Sequence, residues 1–207
     1  LSSSCCFPLM ISREHFMPQR FARMKGQGVV FIASLRAAEK AGGVWLAFQD
    51  SDGNSAVQAN DLVSFAQVSH IDWLSKAQIE VEFKVLHWGK VTSGKPGFSS
   101  TWVSPTLCAD KIELWPNTSI QKNTAALQSA LANINLQYPE LQTANLEQSV
   151  QSVQSEQVKN LCWRWLELLP LPICTKQRLL KSPSASLCIR YLGFILRQSD
   201  RFTHLAR

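Results

Sequence analysis

The run from Leu161 to Leu180, LCWRWLELLPLPICTKQRLL, is helical in composition on both sides of a Leu-Pro-Leu-Pro step, and that step constrains the fold more than any other feature of the chain. A proline inside a helix removes one backbone donor and clashes with the preceding turn, at roughly 3 kcal/mol. Pro170 and Pro172 therefore mark a joint. One helix ends there and another begins.

The helical pattern extends to either side. Leu127, Leu131 and Ile134 recur at helical spacing until Tyr138-Pro139 stops the run. Residues 142–157, QTANLEQSVQSVQSEQ, are polar and read as an exposed connection or the polar side of a helix. Val158, Leu161, Cys162, Trp165, Leu168 and Leu169 form the next apolar stripe. Thr175 is a candidate N-cap for the helix that holds Leu179 and Leu180. Ser182-Pro183 reads as the start of a last helix, with Leu187, Tyr191, Phe194 and Ile195 as its buried face.

The front of the chain has a different period. From Gly28 the signals are those of strands: GVVFIASL and GVWLAFQD are short β-rich runs, the second leading into the turn DSDGNS. In KAQIEVEFKVLHWGKV, Ile79, Val81, Phe83 and Val85 alternate with Glu80, Glu82 and Lys84, which puts one face in a core and the other in water. DKIELW repeats the alternation until Pro116. Strands followed by helices predict an α+β chain, with a β subdomain over residues 1–116 and an α-helical subdomain over residues 117–207. At 207 residues such a chain buries roughly 70% of its unfolded surface and needs no staples.

Charge is uneven. The net charge is +6, and residues 117–207 carry 10 bases against 5 acids, so nearly all of the excess lies in the helical half. Lys176, Arg178, Lys181, Arg190, Arg197, Arg201 and Arg207 face a single acid, Asp200, in the last stretch. That is a footprint for an anionic partner, although dispersed bases on helices are more often a solvated face. Of the six cysteines, none forms a C-x-x-C pair or has histidines at matching distance, which argues against a zinc site and for reduced thiols in a cytoplasmic setting. The start of the sequence lacks the pattern of a signal peptide, and no apolar run approaches the ~20 residues that span a bilayer.

Catalytic signatures are weak. GKVTSGKP, from Gly89 to Pro96, imitates a phosphate loop but places Pro96 where a magnesium-holding hydroxyl is needed. No G-x-S-x-G elbow is present, the four histidines sit in no catalytic pattern, and Glu80 and Glu82 read as the charged face of a strand. The expectation is a non-catalytic chain with no cofactor and no metal. What remains is surface: Trp88, Phe98 and Trp102 fall in the loop-like stretch HWGKVTSGKPGFSSTWVSP, where aromatic side chains would anchor a bound polypeptide or else pack over the mouth of the β subdomain.

The helical joint also carries a resemblance. Trp165, Leu168, Leu169, Pro170, Leu171, Pro172, Lys176, Leu179 and Leu180 resemble the helix, Leu-Pro-x-Pro turn and K-x-x-L-L helix near the end of the Lon protease N-terminal, or LON substrate-binding, domain. SPSASLCIRYL is similar to the helix that follows there, FPL (Phe7 to Leu9) to the opening L-F-P-L, and RFARM (Arg20 to Met24) to R-Y-x-x-M. NDLVSFAQVSHIDWLSKAQIEVEFKVLHWGKV resembles the family's long hairpin. The segment between Leu9 and Phe16 is shorter than in the family, and FMPQR stands where it writes F-E-x-R. The resemblance implies a twisted antiparallel β pseudo-barrel of the PUA-like kind followed by a helical subdomain, in a stand-alone bacterial-type member without the ATPase and peptidase modules. It also implies recognition of unfolded or exposed apolar polypeptide segments, or docking on a protease or chaperone, with no membrane partner. RNA binding through the barrel face and the basic helices is the alternative.

Overall fold

The computed structural model describes residues 5–49, 57–74, 78–92, 105–116, 124–138 and 154–205. They divide into two compact units, one reaching Glu113 and one starting at Leu114.

The first unit holds six strands, β1 (Cys5–Ser12), β2 (Arg20–Gln27), β3 (Val44–Phe48), β4 (Leu62–Trp73), β5 (Gln78–Val91) and β6 (Thr106–Ile112), and one helix, α1 (Val29–Ala41). They hydrogen-bond in the order β2-β5-β4-β3-β1-β6, and β6 also pairs with β5. Five strands thus form a closed ring, and β2 hangs on the outside of it, bonded to β5. Ile79, Val81, Phe83 and Val85 are all fully buried, as their alternation predicts. The sheet is mixed, because β1 runs parallel to β3, with Leu9 opposite Trp45. Parallel neighbours need a long crossover, and β2 with α1 supplies it.

Helix α1 corrects the strand expected at GVVFIASL. Its β-branched opening looks like a strand, but ASLRAAEKA is rich in helix formers, and Gly42 at φ 74° ends the helix with its N–H directed at the carbonyls of Ala38 and Glu39. The helix buries Leu35 and Ala38 and packs against β1 and β4. Strands β1 and β2, both before Gly28, escaped the sequence reading.

Long strand β5 serves both faces of its sheet. Ala66 lies opposite Val85 but Phe65 lies opposite His87, so Leu86 is an extra residue that reverses the alternation. On one side of the ring, Phe7, Trp45, Phe65 and His87 contact one another edge-on or stacked, with Phe65 and His87 centred 4.8 Å apart. Leu9, Val63, Val91, Leu107 and Ala109 complete that core.

The expectation of reduced thiols does not hold throughout. Cys6 and Cys108, directly opposite one another on β1 and β6, form a disulfide across 102 residues of sequence. Disulfides persist in oxidising surroundings, so cysteine usage no longer argues for a reducing compartment.

The second unit contains α2 (Thr124–Gln137), α3 (Gln154–Leu168), α4 (Ile173–Leu180) and α5 (Ser186–Leu205). Helix α3 stops at Leu168 and α4 starts at Ile173, on either side of the proline step. Trp165 on α3 donates its indole N–H to the Leu127 carbonyl of α2 at 3.2 Å. Cys162 and Cys188 meet in the interior, and the hydrogen bond between the thiols, reinforced by burial, pushes Cys188 well above the usual thiol range. These are inert packing thiols.

Three details differ from expectation. Thr175 lies in the first turn of α4, and the cap is Pro172, whose carbonyl accepts the N–H groups of Thr175 and Lys176. Residues 182–184 form bends, so α5 begins only at Ser186. Its buried positions are Cys188, Ile189 and Leu192, whereas Leu187 and Phe194 are exposed. Tyr191 and Ile195, also expected inside, are half-buried, so the inner face is displaced by about one position from the expected stripe. Among the described residues, no helix is long and apolar enough to cross a membrane.

Candidate functional site

The aromatic residues singled out from sequence do not come together. Trp88 lies within β5 rather than in a loop and is only 2% exposed. The connection between β1 and β2 covers it: His15 stacks on Phe48 and sits 5.6 Å from the Trp88 ring, while Ser64, opposite Trp88, donates its hydroxyl to the Phe16 carbonyl at 2.6 Å. His15, Phe16 and Met17 are themselves buried. The loop-like composition around Gly89 concealed a strand that runs on to Val91. Phe98 and Trp102 lie outside the described residues, as does the Gly94-Lys95-Pro96 end of the phosphate-loop imitation.

The residues that carry the resemblance lie in the helical unit and differ in burial. Trp165, Lys176, Leu179 and Leu180 are buried, Leu168, Leu169 and Leu171 are half-buried, and Pro170 and Pro172 are exposed at the turn. Lys176 therefore drops out of the exposed basic set; among the residues whose side chains are described, Arg178, Lys181, Arg190 and Arg197 are on the surface.

Among the described residues, His87, Glu80, Glu82 and His70 are engaged in packing or in surface pairs. Burial, outweighing the hydrogen bond between Nδ1 and the Trp88 carbonyl, with Lys111 adding to it, holds His87 below the ordinary histidine pKa. It is a neutral core residue at pH 7. Glu80 and Glu82 pair across strands with Lys25 and Arg23, at 3.7 and 3.2 Å, and His70 hydrogen-bonds Asp72 at 3.0 Å on the surface. Among the described residues, no cluster of three or more His, Cys, Asp or Glu could hold a metal ion.

Val29, Val30, Trp73 and Leu74 are exposed at one end of the β2-β5-β4 ribbon, while Ile11, Leu136, Tyr138, Leu187 and Phe194 are exposed elsewhere. Gly26, Ile79 and Trp73 lie in one cross-strand row, and Leu74 and Gln78 close the hairpin, with the Leu74 N–H on the Gln78 carbonyl at 2.9 Å. Trp73 is 68% exposed, and Leu74, Val29 and Val30 are exposed too. Gly26 has to be glycine, because a Cβ there would run into the Phe31 ring, which lies across it. The turn through Gly28 then brings Val29 and Val30 to the same end of the ribbon. Large exposed apolar groups that share one end of a sheet are a candidate contact surface. In the sequence, the signal was Ile-Asp-Trp-Leu at the end of an alternating strand, with a tryptophan where a polar turn residue is expected.

Along the ribbon from that corner runs a row of charge. Arg23 and Lys25 on β2 stand beside Glu82 and Glu80 on β5, which stand beside His70 and Asp72 on β4. The opposite face carries Ala22 and Met24 against buried Phe83 and Val81.

No family model matches the chain, and no curated sequence does. Solved structures do match. The chain is similar to the N-terminal domain of Lon protease from the Mycobacterium avium complex, with a TM-score of 0.62, 12% identity, and coverage of 91% of this chain and 96% of that one. It is equally similar to a Lon N-terminal domain protein from Xanthomonas campestris, with a TM-score of 0.61, 15% identity and the same coverage. Alignment over nearly the full length of both shows that this α+β chain has the fold of Lon N-terminal domains.

Proposed function

We propose that this chain is a non-catalytic polypeptide-binding domain that takes exposed apolar segments, of unfolded clients or of a partner protease or chaperone, on the corner formed by Trp73, Leu74, Val29 and Val30. The exposed Trp73, on a Lon N-terminal fold, carries this reading. Rigid aromatic side chains with exposed apolar neighbours supply contact area at small entropic cost.

Fluorescence anisotropy with a permanently unfolded, alkylated model polypeptide tests it. Binding in the micromolar range is expected, weakened on the order of tenfold by Trp73→Ala. Absence of binding by the wild type at high micromolar concentration would rule the reading out.

RNA binding remains the second reading, favoured by Arg178, Lys181, Arg190 and Arg197, which are exposed on α4, α5 and their junction with no acid between residues 176 and 198. Phosphate neutralisation makes such binding fall steeply with salt. An RNA affinity that is insensitive to salt would exclude it.

A further inference from the structure

Strand β2 bonds to β5 on one side, and among the described residues no strand pairs with its other side. An edge of this kind offers backbone donors and acceptors to any extended chain. What distinguishes this edge is its side chains. β2 contains Arg20, Arg23 and Lys25 and no acid. Arg20 is buried, while the side chains of Arg23 and Lys25 are 68% and 58% exposed.

The charge rows give the edge a polarity. Reading outward across the ribbon, the acids of β5 are followed by the bases of β2, at Glu82–Arg23 and Glu80–Lys25. Opposite charges directly across a sheet stabilise pairing and like charges oppose it. A strand added beyond β2 would best continue the row with acids at alternate positions. Its intervening residues would lie beside half-buried Ala22 and Met24 and would best be apolar. A second copy of this chain fits poorly, because β2 against β2 would set Arg23 and Lys25 against their own kind.

We propose that the outer edge of β2 binds an extended polypeptide segment of alternating acidic and apolar residues as an added strand. The inference rests on the polypeptide-binding reading and specifies its ligand. Backbone pairing supplies most of the affinity, and the alternating side chains set the register. Arg23 and Lys25 then act as a specificity filter while also keeping copies of the protein from pairing edge to edge.

Labelled eight-residue peptides test the inference by anisotropy: alternating Glu/Val, alternating Lys/Val, and Glu/Val with N-methylated alternate residues. Glu/Val should bind the wild type on the order of fivefold more tightly than Lys/Val. The N-methylated peptide should lose most of its binding, since it cannot donate along one edge. Arg23→Gln with Lys25→Gln should abolish the preference, and Arg23→Glu with Lys25→Glu should invert it. Both pairs are surface changes whose folding is checked by circular dichroism.

Equal binding of all three peptides, alongside retained binding of the unfolded polypeptide, would overturn the edge-strand inference and leave the polypeptide-binding reading standing. Failure of the wild type to bind either the peptides or the unfolded polypeptide would overturn both. A dimer in sedimentation that the Glu/Val peptide cannot dissociate would place a second copy on the edge and overturn the inference as well.

Discussion

Two side chains, one buried and one half-buried, hold opposite kinds of information about this protein. Trp165 ties α3 to α2 through one hydrogen bond from its indole to the Leu127 carbonyl. Trp165→Phe keeps an aromatic ring but loses that donor and part of the packing, so urea denaturation should show a loss of about 1–2 kcal/mol. His87, stacked on Phe65 inside the ring, responds to pH. Burial lowers its pKa in the folded state, so below about pH 6.5, the ordinary histidine value, the unfolded chain takes up the proton first. Stability contributed by the neutral side chain is thus complete above that pH and declines as acid approaches the folded pKa. Denaturation midpoints compared from pH 8 to pH 5 should show the wild type losing stability relative to His87→Phe as pH falls, because the variant lacks this term. A difference independent of pH would show that His87 does not titrate in this range.

At the scale of elements, the helical joint was legible because proline leaves the chain few choices, and the alternation in β5 because four apolar residues in step have one face to bury. α1 was misread from its first four residues, although the stop at Gly42-Gly43 was present in the sequence. Gly42→Ala should cost about 1 kcal/mol, all of it conformational, since a Cβ at that position meets nothing within 4 Å. The inner stripe of α5 was misplaced because Leu187, Tyr191 and Phe194 look as suitable for burial as Cys188, Ile189 and Leu192. Spacing alone cannot tell two adjoining apolar faces apart. Phe194, 54% exposed, should accept serine within about 0.5 kcal/mol, whereas Ile189→Ala should cost about 2–4 kcal/mol. Equal costs at the two positions would put the buried face where the sequence suggested. The candidate site escaped for a related reason. Trp88 and Trp73 are both strand tryptophans, and only the loop that covers the first separates a core residue from a surface one.

For the whole molecule, the decisive link joins the first strand to the sixth. In the chain-entropy account, a disulfide spanning 102 residues restricts the unfolded state by about 5 kcal/mol. Reduction by dithiothreitol, or Cys6→Ser with Cys108→Ser, should lower the stability of the β unit by about 2–4 kcal/mol. Unchanged denaturation of the fully reduced, alkylated protein would count against the bond. The same link orders events on the ribosome. β1 emerges first, yet both of its partners come later, β3 after α1 and β6 after residue 105. Until then the nascent chain exposes an incomplete ring with a raw edge at β1, and Cys6 waits as a thiol. The ring is therefore complete only once the last strand has arrived to pair with the first.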